Sequence, residues 1–268
     1  MTERTSFPDN FWLDRVVEFE KVDGDNNRVT TQWQIEKKLE EKHHLGSKED
    51  WEDFNRKKPM MAIARFNCVN ASDPSEYAFM KVIPYAGSEF DLPSVRAAQA
   101  LPNAKINEET SLVTLTKRGC KSSPPLRNRK REIQDDSSPF VPTGFIVYLV
   151  TDVLPGTILE RDDYWKLDYN ERTKIRLAFK AAYEDCLSCG IVHTFGFLGT
   201  NLLWDNITQT ISILGFRNSK PATKEDAWDD NQWVGWGFGR RVKGLRKHAG
   251  PLPQNMIRGR RDKEVYEL

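Results

Sequence analysis

The stretch Cys189–Leu214, CGIVHTFGFLGTNLLWDNITQTISIL, together with the Gly215-Phe216 pair that follows it, decides how the chain is interpreted. A histidine opens a loop, and the apolar run Asn201–Trp204 is typical of a short strand. The polar residues Asp205–Gln209 predict a turn, after which Thr210–Leu214 predicts a second strand. The sequence therefore predicts a histidine-led loop followed by a strand pair.

The chain as a whole is polar and nearly neutral. Its 268 residues include 40 Lys and Arg against 39 Asp and Glu, and 38% are hydrophobic. This length is sufficient for one large domain or for two lobes. A formal net charge of +1 argues against binding nucleic acid or a membrane through overall charge. No apolar leader or run of transmembrane length occurs, so we expect a cytoplasmic or nuclear protein with free thiols.

The four cysteines are scattered, at positions 68, 120, 186 and 189. Cys186-x-x-Cys189 has the spacing of a metal or redox pair, but the sequence offers no second ligand pair at a usable spacing. The two residues also fall at the end of a predicted helix. We therefore interpret them as structural helix cysteines.

The first half of the chain predicts a charged leader and a hairpin. Residues 1–58 are charged, although Trp12, Trp33 and Trp51 indicate that part of the leader is buried, and Trp33–His44 is rich in helix formers. The runs Met60–Cys68 and Tyr77–Ile83 predict a β-hairpin with a long loop. Lys81 lies within its second strand, where a lysine either reaches solvent at an edge or points into a cleft.

The second half alternates helices with one apolar strand. Ile106–Lys117 predicts a helix that Gly119 ends, and Lys121–Phe140 predicts a surface loop with a basic cluster. Gly144–Val150 predicts the most apolar strand. The sequence predicts a long helix over Asp168–Cys189, which begins with a D-x-x-E capping box. It also predicts the start of an aromatic helix over Asp226–Gly237.

Several short phrases, taken together and in order, resemble a fungal protein-kinase-like family related to the aminoglycoside phosphotransferases and choline kinases. They cover roughly residues 60–235. The phrases are ARF with ASDP (Ala64–Phe66, Ala71–Pro74), AFMK (Ala78–Lys81), PYAGSE (Pro84–Glu89), VRAAQA (Val95–Ala100), NE (Asn107-Glu108), GFIVYL (Gly144–Leu149), CGIVH (Cys189–His193) and NLLWD (Asn201–Asp205).

The resemblance implies an α+β, two-lobed protein-kinase-like fold. The small lobe is expected to hold an antiparallel sheet and one main helix, and the large lobe to be reduced and mostly helical. Four parts follow: a leader (1–58), a small lobe (59–151), a large lobe (152–238) and a basic tail (239–268), with Thr151–Pro155 as the hinge. By the same resemblance, Lys81 would hold nucleotide phosphates and Glu108 would orient it.

Two carboxylates that the resemblance requires are missing. The family writes its catalytic loop H-x-D-x-x-x-x-N, whereas His193 is followed by Phe195 at the aspartate position and by Asn201 one residue late. The family's metal-binding I-x-D-F reads Ile213-Leu214-Gly215-Phe216. Phenylalanine accepts no proton, and glycine offers no ligand to magnesium, which prefers carboxylate oxygens. Loss of a catalytic base alone costs about 10²–10⁴ in rate.

Asn201 is left as a weak metal ligand, and Asp205, which follows the strand, is a poor substitute for the lost aspartate. Phe195 and Phe197 are expected to fill the acidic centre with apolar surface. A gene-model error that produced the TFGFLGT segment would explain the residue at position 195 but not the one at position 215. The sequence also shows no G-x-G-x-x-G phosphate loop.

The favoured function is therefore a pseudokinase that binds an unknown protein or small-molecule partner. One alternative is a residually active ATP- and magnesium-dependent phosphotransferase that acts on a protein or a small molecule. A second alternative is a kinase fold reused for non-phosphoryl chemistry in its cleft. Nucleic-acid binding through the basic tail is disfavoured, because Tyr266 is the only aromatic residue there. No membrane role is expected.

Overall fold

The fold is described from a computed structural model. It describes residues 7–22, 28–44, 61–87, 105–138, 140–243, 252–259 and 264–268, together with Ser94 and Ala97. The chain forms two compact units. The first comprises Met1–Lys105 and Leu126–Val153, and the second comprises Ile106–Pro125 and Leu154–Leu268. The last boundary between the units falls within the predicted hinge Thr151–Pro155.

The first unit is built on a six-stranded antiparallel sheet in the order β1-β2-β3-β4-β6-β5. A short helix, α1, precedes it. The elements are α1 (Asp9–Trp12), β1 (Val16–Val22), β2 (Arg28–His44), β3 (Met61–Asn70), β4 (Asp73–Pro84), β5 (Leu126–Ile133) and β6 (Phe145–Thr151). The predicted hairpin is confirmed as β3 and β4, but its connection is the short turn Ala71-Ser72 rather than a long loop.

The core of the first unit includes part of the leader. Trp12 and Trp33 are both buried in the same apolar cluster as Phe66 and Tyr148. The indole N–H of Trp33 also donates to the Asn128 side-chain oxygen at 2.9 Å. The described leader residues are therefore part of the sheet unit and do not form a separate extension. Trp51 lies outside the described residues.

The prediction of a helix over Trp33–His44 is wrong, because this segment is most of strand β2. It pairs with β3 along its length, and only its first residues, Trp33 and Gln34, also pair with β1. Trp33 and Ile35 alternate inward, whereas the glutamates and lysines that suggested a helix point mainly away from the core. Pairing with β3 and burial of the aromatic side chain outweigh intrinsic helix propensity here.

The prediction of a surface loop over Lys121–Phe140 is also wrong in its central part. Residues Leu126–Ile133 form strand β5, which pairs with β6. Half-buried and exposed residues alternate strictly along it, and the arginines of the basic cluster lie on the exposed side. The alternation was hidden because three of the four half-buried positions carry the polar residues Asn128, Lys130 and Glu132.

The second unit combines helices with eight short strands in the described residues, so the prediction of a mostly helical large lobe is corrected to a mixed one. Its strands form three small antiparallel sheets, β10-β9-β7, β11-β8 and β12-β14-β13. The elements are α2 (Asn107–Lys117), β7 (Thr157–Ile158), α3 (Arg161–Lys166), α4 (Tyr169–Ser188), β8 (Ile191–His193), β9 (Leu202–Asp205), β10 (Thr210–Ile213), a 3-10 helix (Phe216–Asn218), β11 (Ser219–Pro221), α5 (Gln232–Gly235), β12 (Arg240–Arg241), β13 (Met256–Arg258) and β14 (Val265–Glu267).

Helix α4 confirms the predicted long helix and its cap. The Asp168 carboxylate accepts from the backbone N–H groups of Asn170 and Glu171 at 2.8 and 3.0 Å. This satisfies two donors that a helix start otherwise leaves unpaired. The buried face includes Ile175, Phe179, Ala182 and Cys186, which follow one another at intervals of three or four residues.

Three other expectations for the second unit change. Helix α2 groups with this unit and not with the sheet to which the resemblance assigned it. The aromatic stretch Asp226–Gly237 is helical only over Gln232–Gly235, because loop contacts organise the preceding residues. The described parts of the predicted tail form the β12-β14-β13 sheet, where Arg241 pairs with Glu264 at 2.8 Å. Among the described residues, no helix is long and apolar enough to cross a membrane.

Candidate functional site

The histidine loop of the second unit is held from two sides. Strand β8 carries His193 and pairs antiparallel with β11, which places His193 opposite Ser219. Helix α2 packs against these strands, and the Ser111 and Ser219 hydroxyl oxygens lie 2.8 Å apart in a buried contact. The start of the loop is therefore a rigid position in the core of this unit.

His193 is a buried, neutral residue. It is 3% exposed, and its Nε2 lies 3.0 Å from the backbone oxygen of Gly215. A carbonyl oxygen can only accept, so Nε2 carries the proton. Its Nδ1 has no hydrogen-bond partner within the described part of the chain. Burial lowers the pKa of His193, and the bond to Gly215 and the charge of Glu108 only partly oppose that shift.

The buried state of His193 predicts a pH dependence of stability. Its folded-state pKa lies below the unfolded value of about 6.5. The unfolded chain therefore binds the proton more readily, and the contribution of neutral His193 is lost as the pH falls through 6.5 toward the folded-state pKa. Urea unfolding between about pH 7.5 and 5.5 should show a smaller loss of stability for His193→Gln than for the unmodified protein. Equal losses in the two proteins would contradict this assignment.

Asn201 closes the loop on itself. Its side-chain oxygen accepts from the Phe197 backbone N–H at 3.2 Å and from the Thr200 hydroxyl at 2.9 Å. Its side-chain nitrogen donates to the Leu214 backbone oxygen at 2.9 Å. An amide oxygen has two acceptor lone pairs, so a metal at this oxygen would have to displace one of the two donors. Asn201 therefore connects the loop to the end of β10.

A side chain at position 215 would require the Asn201 side chain to shift. Gly215 has a φ of 70° and a ψ of 57°, which lie in the left-handed region that favours glycine. A Cβ at this position would lie 2.7 Å from the Asn201 side-chain nitrogen. The local backbone and the contact with Asn201 therefore both favour glycine at the position of the lost metal aspartate.

Phe195 and Phe197 point outward, unlike the expectation that they fill the centre. They are 55% and 44% exposed, and their rings pack edge to face with centroids 4.4 Å apart. Gly196 between them lies against the Trp236 ring, where a Cβ would come within 2.3 Å of a ring carbon. The Leu198 N–H donates to the Trp236 backbone oxygen at 3.2 Å. The small residue between the two phenylalanines thus allows the backbone to pack while both rings face solvent.

Asp205 does not take the place of the missing aspartate. Its carboxylate accepts from the Ile207 N–H at 2.9 Å and from the Thr208 hydroxyl at 2.7 Å. These hydrogen bonds lower the pKa of Asp205, and the bond from Thr208 has the largest effect. The carboxylate therefore organises the turn between β9 and β10.

Lys81 and Glu108 belong to different units. Lys81 is half-buried in β4 and lies between Arg65 of β3 and Leu149 of β6 in the strand register. Glu108 is buried in the first turn of α2, in the second unit, close enough to His193 to affect its charge. Their pairing remains a prediction from the resemblance.

Sequence reasoning missed the role of Trp236. This buried residue packs on His193, with ring centroids 5.0 Å apart, and supports Gly196 from the other side. No sequence signal links it to the loop, because the two positions are far apart along the chain and come together only in the tertiary structure.

Comparisons with known proteins add little. No protein-family model matches the sequence, and no curated protein matches it either. Among solved structures, the chain is similar to the kinase PK-1 of the Cydia pomonella granulovirus, with 17% sequence identity and a TM-score of 0.42. The similarity covers 70% of this chain and 52% of that one, so this chain spans about half the length of the viral kinase structure.

Proposed function

We propose that the chain has a kinase-like fold and is a pseudokinase, which acts by binding a ligand or a protein partner and not by transferring phosphate. The order of elements supports the fold. An antiparallel sheet carries Lys81, helix α2 carries Glu108, and the buried strand β6 ends at the boundary between the units. The capped helix α4, the histidine loop and the β9–β10 pair then follow in the order that the resemblance implies.

The state of Asn201 is the observation that carries the non-catalytic assignment. Phosphoryl transfer depends on positioned carboxylates and on magnesium that neutralises the phosphates. Of the metal-binding positions that the resemblance implies, only Asn201 keeps an oxygen, and that oxygen accepts from Phe197 and Thr200. Gly215 offers no ligand, and the Phe195 ring is exposed and cannot accept a proton. The loop therefore lacks both carboxylates on which phosphoryl transfer depends.

Thermal unfolding with ATP, in the presence and absence of magnesium, tests this proposal. We expect magnesium to leave the effect of ATP on the melting temperature unchanged, because the loop offers no carboxylate to a magnesium ion bound to the nucleotide. Ligands that bind only the folded state raise the melting temperature by several degrees when they greatly exceed their Kd.

The variant Lys81→Ala separates the possible outcomes. If ATP without magnesium stabilises the unmodified protein but not Lys81→Ala, the chain binds the nucleotide through Lys81 without a metal. This result would agree with a pseudokinase. Magnesium-dependent stabilisation, accompanied by transfer of phosphate from ATP to a protein or small-molecule acceptor, would overturn the proposal in favour of a residually active phosphotransferase.

A further inference from the structure

Three thiols and a carboxylate meet at the end of helix α4. Cys120 lies in the turn after helix α2, whereas Asp185, Cys186 and Cys189 lie in the last turn of α4 and at its cap. All three cysteines are buried. The whole cluster lies within the second unit, apart from the histidine loop described above.

The spacing of these atoms resembles that of ligands around one tetrahedral zinc ion. The Cys120 sulfur lies 3.7 Å from the Cys186 sulfur and 3.3 Å from the Asp185 Oδ2. The ligand atoms of Cys120, Asp185 and Cys189 all lie within 4.8 Å of one another. Two sulfurs bound to the same zinc are separated by about 3.8 Å, and a sulfur and an oxygen by about 3.5 Å. The two separations from the Cys120 sulfur are close to these values, and Cys189 needs only a small movement. The Cys186 sulfur lies outside the group within 4.8 Å, so its side chain would have to turn toward Asp185 and Cys189.

The surroundings hold the carboxylate in place. Asp185 Oδ2 accepts from the backbone N–H groups of Lys121 and Ser122 at 2.8 and 2.9 Å. These bonds occupy Oδ2 and fix the orientation of the carboxylate, so its other oxygen, Oδ1, would be the one that binds a metal. The site also lies at the C-terminal end of a 20-residue helix, where the helix dipole favours a cation.

The distance along the chain between the candidate ligands shows why the sequence alone did not indicate this site. Cys186-x-x-Cys189 lacked a second ligand pair nearby, but the fold supplies Cys120 from 66 residues away and Asp185 from the same helix. On the helix surface, Asp185 and Cys189 are four residues apart and thus neighbours. A thiolate-rich set that includes one carboxylate selects zinc over hard cations such as magnesium or calcium.

We propose that Cys120, Asp185, Cys186 and Cys189 bind a structural Zn²⁺ ion that joins the turn after α2 to the end of α4. On binding, each coordinating thiol releases its proton to solvent, and the metal takes the place of the proton that Cys120 shares with Asp185. No electron is transferred. The site would link two chain segments that are distant in sequence.

The test uses the full chain, purified with a non-metal reductant from cells grown with added zinc. Elemental analysis after exhaustive dialysis should find zinc equimolar with protein. Replacement by Co²⁺ should give the visible absorption of a tetrahedral, thiolate-bound ion. Cys120→Ser should lose the bound metal. The control Cys68→Ser should retain it, because Cys68 is buried in the first unit, where its thiol donates to the Ala78 backbone oxygen at 3.3 Å.

Several results would overturn the proposal. These are absence of equimolar zinc in the unmodified protein, an octahedral Co²⁺ spectrum, or metal content in Cys120→Ser equal to that of the control. A mass lower by two hydrogen atoms under non-reducing conditions, with no metal, would show that two of the thiols have been oxidised to a disulfide in place of a zinc site. If Cys120→Ser does not fold, a chelator decides the question. It should lower the melting temperature of the unmodified protein, and no shift would refute a structural ion.

Discussion

The variant Gly215→Asp, which restores the missing aspartate, is expected to lower the free energy of unfolding by about 3 kcal/mol or more. A residue with a Cβ in the left-handed region costs about 1–2 kcal/mol, and for aspartate the lower end applies because its short side chain tolerates this region. The new Cβ would also meet the Asn201 side-chain nitrogen at 2.7 Å. Displacing that amide breaks its bonds to Phe197, Thr200 and Leu214, each worth about 1 kcal/mol.

Three alanine variants separate the two causes by urea unfolding. Gly119→Ala isolates the backbone term, because Gly119 has a φ of 72° and no heavy atom lies within 4 Å of the position that a Cβ would take. We expect it to cost about 1 kcal/mol. Gly235→Ala carries neither term and should change stability by less than about 1 kcal/mol. Gly215→Ala should cost clearly more than both. If Gly215→Ala loses no more free energy of unfolding than Gly119→Ala, the Asn201 side chain moves aside without measurable cost, which would contradict this prediction.

The contact between Gly215 and Asn201 also leads us to expect that catalysis is not restored by adding the missing carboxylates. The double variant Phe195→Asp with Gly215→Asp supplies both missing carboxylates, yet we expect no magnesium-dependent hydrolysis of ATP. The loop keeps its extra residue before Asn201, and the aspartate at position 215 would displace Asn201 and thereby remove the remaining amide ligand from its place. Hydrolysis well above that of the unmodified protein would show that the loop retains a catalytic geometry.

The second large effect is expected from Phe179→Ala, which should lower the free energy of unfolding by about 3–5 kcal/mol. Phe179 lies at the centre of an aromatic cluster in the second unit and is fully buried. Its ring centroid lies 4.9 Å from those of Trp236 and Phe238, and 5.9 and 6.1 Å from those of Trp233 and Trp228. Since these large rings cannot collapse fully into the space, a cavity remains, and its cost adds to the lost burial.

Leu177→Ala is the matched control for Phe179→Ala. It lies on the same helix two residues earlier and is 59% exposed, so its truncation should change stability by less than about 0.5 kcal/mol. Tryptophan fluorescence reports the effect directly, because Trp228, Trp233 and Trp236 surround the removed ring. Phe179→Ala should also weaken the support of His193, which packs on Trp236 at 5.0 Å. Similar unfolding curves for the two variants would contradict the packing described here.

The sequence by itself determined the elements whose signals are local. The Asp168 capping box and the apolar spacing that follows predicted helix α4, and the continuous apolar run predicted the buried strand β6. The hairpin of β3 and β4 and the β9–β10 pair were also predicted, apart from the length of the first turn. The sequence showed as well that positions 195 and 215 carry no carboxylate, since side-chain chemistry needs no fold to be known.

Only the tertiary structure decided the features that depend on distant partners. Trp33–His44 is a strand because it pairs with β3 along its length. Leu126–Ile133 is a strand because it pairs with β6, and its position at the edge of the sheet leaves its charged side chains exposed. The left-handed conformation of Gly215 and its contact with Asn201 also appear only in the structure. The same holds for the contact between Cys120 and Asp185, which are far apart in sequence. Packing and pairing energies between such segments exceed local propensities, and the local sequence does not contain them.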